Sequence, residues 1–149
     1  MAPEDAMPQD AAGQQRSSSN DRFRSLFENS LDAIYIGKPD GAVIDVNQAW
    51  LDLFGYARED LTSFNASALY AEPAERADFV RHMNTLGFVR DEVRYRRKDG
   101  SLFDCQRVQV VRRDDRGNIV AHEGIVRDVS QQRHDRAELE RLARITEMR

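Results

Sequence analysis

Asp99-Gly100 lies between two long strand-like runs, which commits the middle of this chain to an antiparallel hairpin. An Asp-Gly pair supplies the positive φ angles that a tight hairpin turn needs. The run before it, Phe88 to Arg97, alternates through Glu92-Val93-Arg94-Tyr95-Arg96, and the run after it is Leu102 to Arg112. A turn at Asp114-Asp115-Arg116-Gly117-Asn118 leads to a third run, Ile119 to Val126. An earlier hairpin joins Ala33-Ile34-Tyr35-Ile36 to Ala42–Val46 through Lys38-Pro39-Asp40-Gly41. There proline presets one backbone angle and glycine accepts positive φ. Alternation places Ile44 and Val46 on one face of the second strand, with Val43 and Asp45 on the other.

The segments around and between these hairpins are helical by periodicity. Phe23, Leu26, Phe27 and Leu31 form one stripe after a cap at Asn20. Asn47 caps a short helix carrying Trp50, Leu53 and Phe54, which Gly55 ends. Arg58 to Leu61 reads as one helical turn, and residues 62–72 as irregular or briefly helical. A longer helix runs from Pro73 to Leu86, with either Ala77, Val80 and Met83 or Phe79, Met83 and Leu86 buried. Proline suits its first turn and Gly87 stops it. After Asp128-Val129, Ser130 caps a charged helix whose apolar repeat is Leu139, Leu142 and Ile145. Two strands, then helices, then three strands imply an α+β domain with helices over one face of an antiparallel sheet. Residues 1–19 lack an apolar stripe and read as a disordered tail or linker, 20–129 as the domain, and 130–149 as an exit helix.

Composition excludes several classes. The 149 residues suffice for one core, and the net charge of -4 gives no bulk attraction to nucleic acid. Arg94, Arg96, Arg97 and Lys98 form the densest basic group, read as a solvated edge. A single cysteine, Cys105, forms no internal disulfide and no multi-cysteine metal or iron–sulfur site. That usage, with no apolar leader and no membrane-length apolar stretch, points to a cytoplasmic protein without direct membrane contact. No nucleophile–base–orienter set and no phosphate-cradling glycine loop is present, so a non-enzymatic role is expected.

Several of these runs together resemble the PAS family. Gly41 to Tyr56, a strand entering an asparagine-capped helix that ends in Phe54-Gly55-Tyr56, is similar to the early PAS segment. Arg58-Glu59-Asp60-Leu61 resembles the next helical turn, Tyr95 to Ser101 the late hairpin, and Gly124 to Ser130 the closing segment. The resemblance covers about residues 23–133. It implies a PAS fold, a five-stranded antiparallel sheet with helices on one face and flanking N- and C-terminal helices. It also implies a small pocket between sheet and helices, lined here by Ile34, Ile36, Ile44, Val46, Asn47, Trp50, Phe54, Phe79, Met83, Tyr95 and Cys105. Each of these is alternatively plain core.

The function so implied is a sensory and dimerisation module. A small ligand, or side chains alone, would fill the pocket, and the C-terminal helix would pass conformational change to an output domain. A homodimer through the terminal helices is expected, because three apolar residues cannot hold the exit helix alone in water. The alternative is a haem- or flavin-bearing redox or gas sensor. For haem, the family's axial-histidine position falls near Arg76, and His82 lies two turns further on, too far to substitute. For a flavin photoadduct, residues 62–72 lack the reactive cysteine; Trp50 or Tyr95 could still stack on a non-covalent flavin.

Two positions depart from the family pattern. Ala57 stands where a capping Ser or Thr is common, so that turn should be weakly capped. Arg107 falls in phase with Cys105 where an apolar residue belongs. A bulge turning Val108 and Val110 inward is the expected resolution; otherwise Arg107 enters the pocket and favours a carboxylate or phosphate ligand.

Overall fold

The computed structural model describes residues 7–148 of the chain. Its elements are α1 (Met7–Asn29), β1 (Ala33–Gly37), β2 (Val43–Val46), α2 (Gln48–Phe54), α3 (Pro73–Leu86), β3 (Phe88–Arg96), β4 (Leu102–Arg113), β5 (Ile119–Asp128) and α4 (Ser130–Glu147). Short 3-10 turns at Arg58–Thr62 and Ala66–Leu69 link α2 to α3. The strands form one sheet in the order β2-β1-β5-β4-β3, with every paired neighbour antiparallel. This is the expected five-stranded α+β architecture. No helix among the described residues is long and apolar enough to cross a membrane.

The expected tail at 1–19 lies outside the described residues over positions 1–6; from Met7 the backbone is helical, and Asn20 sits inside α1 instead of capping it. An apolar stripe reports which helix face packs, not whether a helix forms, so a stripe-free segment reads as coil even where the backbone is helical. α1 is held by Phe27, which is buried, and by ion pairs from Arg24 to Asp45 at 2.9 Å and from Arg58 to Glu28 at 3.7 Å. At the other end, Ser130 does not cap α4. The Asp128 carboxylate accepts the Ser130 N–H at 2.9 Å, a shorter reach to the free helix N–H groups. Ala57 offers no side-chain cap; instead Asp60 accepts the Ala57 N–H at 2.9 Å and an Nζ–H of Lys98 at 2.9 Å.

Asn47 ties four segments together. Its Oδ1 accepts from Trp50 N at 3.0 Å and Ile34 N at 2.9 Å, while its Nδ2 donates to the carbonyls of Phe27 and Asp32, both at 2.9 Å. A primary amide can do no more than this when buried. Above it, Trp50 is fully enclosed, its ring centroid 4.6 Å from Phe54, 5.9 Å from Tyr56 and 5.7 Å from Phe64.

Candidate functional site

Strand register sets which side chains meet under the helices. On the inner face, Ala33, Val126, Arg107 and Asp91 form one cross-strand row. The next row is Tyr35, Gly124, Gln109 and Val89, and the one after it Gly37, His122 and Val111. Two glycines make room in these rows. A Cβ on Gly37 would overlap the Tyr35 hydroxyl, and one on Gly124 would overlap the Val108 carbonyl and the Gln109 side chain. The Tyr35 ring therefore lies over Gly37, and the Gln109 side chain over Gly124.

Arg107 is the charged centre of this face, with 4% of its surface exposed. Its Nε and Nη2 donate to the two carboxylate oxygens of Asp91 at 2.6 and 3.1 Å. Its Nη1 donates to the hydroxyls of Tyr70 at 2.7 Å and Tyr95 at 2.9 Å, and Phe79 lies under the guanidinium at 4.5 Å. Burial opposes the Arg107 charge, but Tyr95, Asp91 and Tyr70 more than offset it, and its pKa stays above the ordinary arginine value. Burial likewise drives the Tyr95 hydroxyl well above the usual phenol range. The expected bulge does not occur here: pairing runs without a shift from Phe88↔Val110 to Arg96↔Leu102, and Val108 and Val110 face outward. A buried guanidinium is tolerable because Asp91 stands directly opposite it and two phenols complete the shell. Asp91 and Tyr70 are thus site residues that sequence reasoning missed. The hairpin register pairing Arg96 with Leu102 was the signal that could have located Asp91.

Beside Arg107 lies a small cavity of about 10 Å³, lined by Tyr35, Trp50, Leu69, Tyr70, Arg76, Tyr95 and Gln109, among others. That is the threshold space for one water molecule. Three buried polar atoms of this inner face have no protein partner: Tyr35 Oη, Gln109 Oε1 and His122 Nε2. Burial pushes the Tyr35 hydroxyl up to about 12. Burial, then the nearby Arg76 charge, lower the His122 pKa, so its imidazole is neutral at pH 7. Such atoms are costly to bury without a partner. A wider groove of about 400 Å³ runs outside, between α3 and β3, with Phe79 and Arg107 in the wall that divides it from the interior.

Of the expected pocket residues, Val46, Trp50, Phe54, Phe79, Met83, Tyr95 and Cys105 join the buried core. Trp50, Phe79 and Tyr95 reach these two cavities; Phe54 lines a separate surface pocket with Gly55, Arg97 and Lys98, and Val46, Met83 and Cys105 are packing. Asn47 is a structural staple with no spare hydrogen bond. Ile34, Ile36 and Ile44 are corrections. β1 buries Ala33, Tyr35 and Gly37 instead of Ile34 and Ile36. In β2, Gly37 pairs with Val43 where regular pairing would give Ile44. That extra residue is a bulge, which reverses the alternation on either side of it, so Val43 packs inward and Ile44 is 46% exposed. His82 is exposed, its Nδ1 bonded to the Asp78 carbonyl at 2.8 Å.

The residues present do not fit the large cofactors of the alternative reading. The inner cavity of about 10 Å³ is far below the several hundred Å³ of an ordinary cofactor pocket, and Arg107, bonded to Tyr70 and stacked on Phe79, lies beside it. Arg76 stands at the position expected for an axial histidine, and burial pushes the Cys105 thiol up, away from reactivity. Among the described residues no group of His, Cys, Asp and Glu is placed to hold a metal ion.

A family model described as PAS domain matches residues 31–131, and the chain belongs to that family. A 52-residue stretch, 34% of the chain and 5% of the relative, is 40% identical to a methyl sulfide methyltransferase-associated sensor of Methanosarcina acetivorans. Among solved structures, the PAS domain of a Colwellia psychrerythraea protein superposes with a TM-score of 0.68 at 22% identity, over 76% of this chain and 98% of that one. An RNA-binding light-oxygen-voltage receptor superposes at 0.69 with 24% identity, over 87% of this chain and 38% of that one. These structures speak for the fold alone. The chain spans 5% and 17% of the lengths of two curated relatives that it matches.

Proposed function

We propose that this chain is a non-enzymatic, cytoplasmic sensory PAS module that binds a small ligand beneath its helices and passes the change through α4 to an attached output domain. The observation carrying this reading is the set of three buried polar atoms without a protein partner, Tyr35 Oη, Gln109 Oε1 and His122 Nε2, on an inner face whose other buried polar side chains, Arg107 and Asn47, are hydrogen-bonded. A ligand that pairs with them shifts the population of two packings of helices on sheet. The exit route is supported by the ion pairs of Arg133 in α4 with Glu92 and, at 2.8 Å, with Asp104.

The test is a native mass spectrum and small-molecule extract of protein purified from its host. A stoichiometric metabolite lost on denaturation supports the reading; protein that is empty from every growth condition, and unshifted in melting by its own host's metabolite extract, refutes it.

The module acts as a homodimer through its terminal helices. Leu139, Leu142 and Ile145 are exposed along one side of α4, and Phe23 and Leu26 along α1, surfaces that a second copy would cover. Serine at Leu139, Leu142 and Ile145 together is expected to halve the mass in analytical ultracentrifugation; a parent protein that is already monomeric at micromolar concentration refutes the dimer.

A further inference from the structure

The inner cavity carries a charge asymmetry. Its lining contains one charged residue, Arg76, and no carboxylate. Arg76 is half-buried, donates through Nη2 to the Pro39 carbonyl at 3.2 Å and packs over Phe79 at 5.3 Å. No carboxylate among the described residues forms an ion pair with it, and Asp40, which faces the same region, instead accepts the Ala42 N–H at 2.9 Å. Tyr35 and His122 both feel the Arg76 charge. Tyr35 is a neutral hydroxyl and therefore a donor, a neutral imidazole donates from one nitrogen, and the Gln109 amide can turn to present its NH₂. An arginine with spare N–H groups, surrounded by neutral donors in a low-dielectric site, is a receptor for an oxyanion. The cavity has about 10 Å³, the space of about one water, so a guest must be small and must displace lining side chains to enter.

We infer that the ligand is a small carboxylate, its two oxygens held by Arg76 and Tyr35, with Gln109, also in the lining, completing the shell. This rests on the reading of the cavity as a ligand pocket, and narrows it to one chemical class. Arg107 is not the anion's partner, because Asp91 and the two tyrosines occupy four of its five N–H groups.

Two-dimensional amide NMR with acetate and pyruvate as carboxylate probes, acetamide as the neutral match of acetate, and chloride to hold ionic strength decides the matter. The expected result is saturable millimolar binding of a carboxylate, shifts centred on Gly37, Gly124 and the Trp50 indole, and no saturation with acetamide. Arg76→Gln, which removes one backbone hydrogen bond and keeps the packing stem, should weaken binding by about tenfold or more. Tyr35→Phe should weaken it less and provides a check if the first variant is perturbed. Acetamide binding as tightly as acetate overturns the carboxylate class and leaves the ligand-pocket reading standing. Absence of saturation with either carboxylate, or binding that survives Arg76→Gln unchanged, overturns the inference as well; the host extract then judges the pocket reading separately.

Discussion

Replacing Asp91 by alanine should cost this domain far more than replacing the arginine it holds. Arg107 has a side chain 5% exposed, whereas Asp91 is 43% exposed. Asp91→Ala leaves a buried guanidinium with two phenol partners and no counter-charge, since no other carboxylate among the described residues pairs with it. Breaking a buried pair in this way costs about 3–5 kcal/mol, and water reaching Nε from the outer groove brings the expected value to the low end, about 3 kcal/mol. Arg107→Met removes the charge instead. Asp91 then hydrates where it stands, Tyr70 and Tyr95 each lose a donor worth about 1 kcal/mol, and the relieved desolvation of the cation offsets most of that. The net expectation is about 0–1 kcal/mol, and the double variant should match Arg107→Met alone. Urea unfolding followed by the fluorescence of Trp50, the single tryptophan, measures all three. If Arg107→Met costs as much as Asp91→Ala, the pair is not a cation tolerated for its partner, and the argument fails.

Asn47→Ala should destabilise by about 4 kcal/mol: roughly 1 kcal/mol for the lost cap of α2 and about 1 kcal/mol for each of three other orphaned backbone groups; a loss under about 1 kcal/mol in urea unfolding would contradict the staple role. The His122 pKa is lowered in the folded protein, so the unfolded chain takes up the proton first on acidification. Stability tied to this group is complete above the ordinary histidine value of 6.5 and is lost as pH falls towards the folded value; melting temperature should decline below that pH, and His122→Leu should remove this part of the slope. Gly124→Ala drives a methyl into the Val108 carbonyl, and should cost about 3 kcal/mol or open the β4–β5 ladder, seen as faster amide exchange at Gln109 and Ile125.

Element order was legible because each boundary carries its own chemistry. Gly55 and Gly87 do sit in left-handed geometry at helix ends, Asn47 does cap α2, and Pro73 does open α3. Facing was less legible wherever both sheet faces are apolar. Ile34 and Ile36 read as core by hydrophobicity, yet the row they belong to continues outward through Ile125, Val108 and Val110. A period of two fixes which residues share a face, not which face the helices choose, and one bulge at Ile44 resets it. The polar interior was hidden for another reason. Arg107 makes sense only with Asp91, sixteen residues away, and with Tyr70, which arrives from an irregular segment with no period to read. An inward bulge is the cheaper assumption for a lone arginine; with its partners in view the burial is reasonable.

The same arrangement suggests why the exit helix can respond to the interior under the proposed function. Asp91 and Glu92 are neighbours on β3 and point to opposite sides of it. Asp91 grips Arg107 in the interior, while Glu92 grips Arg133 in the first turn of α4. Arg133 also reaches Asp104, which is shared with Arg94, and the Val129 N–H donates to the Asp104 carbonyl at 3.0 Å. These α4 contacts are partly exposed ion pairs and one backbone bond, each ion pair worth about 0–1 kcal/mol. Under the proposed function, an anchor this weak is one that ligand binding could reset. Tyr70 and Tyr95 line the same cavity, so under that function a guest that displaced either from Arg107 would change the pull on Asp91, whose strand neighbour is Glu92. A slight shift of β3 would then, under the proposed function, be enough to disturb these weak α4 contacts.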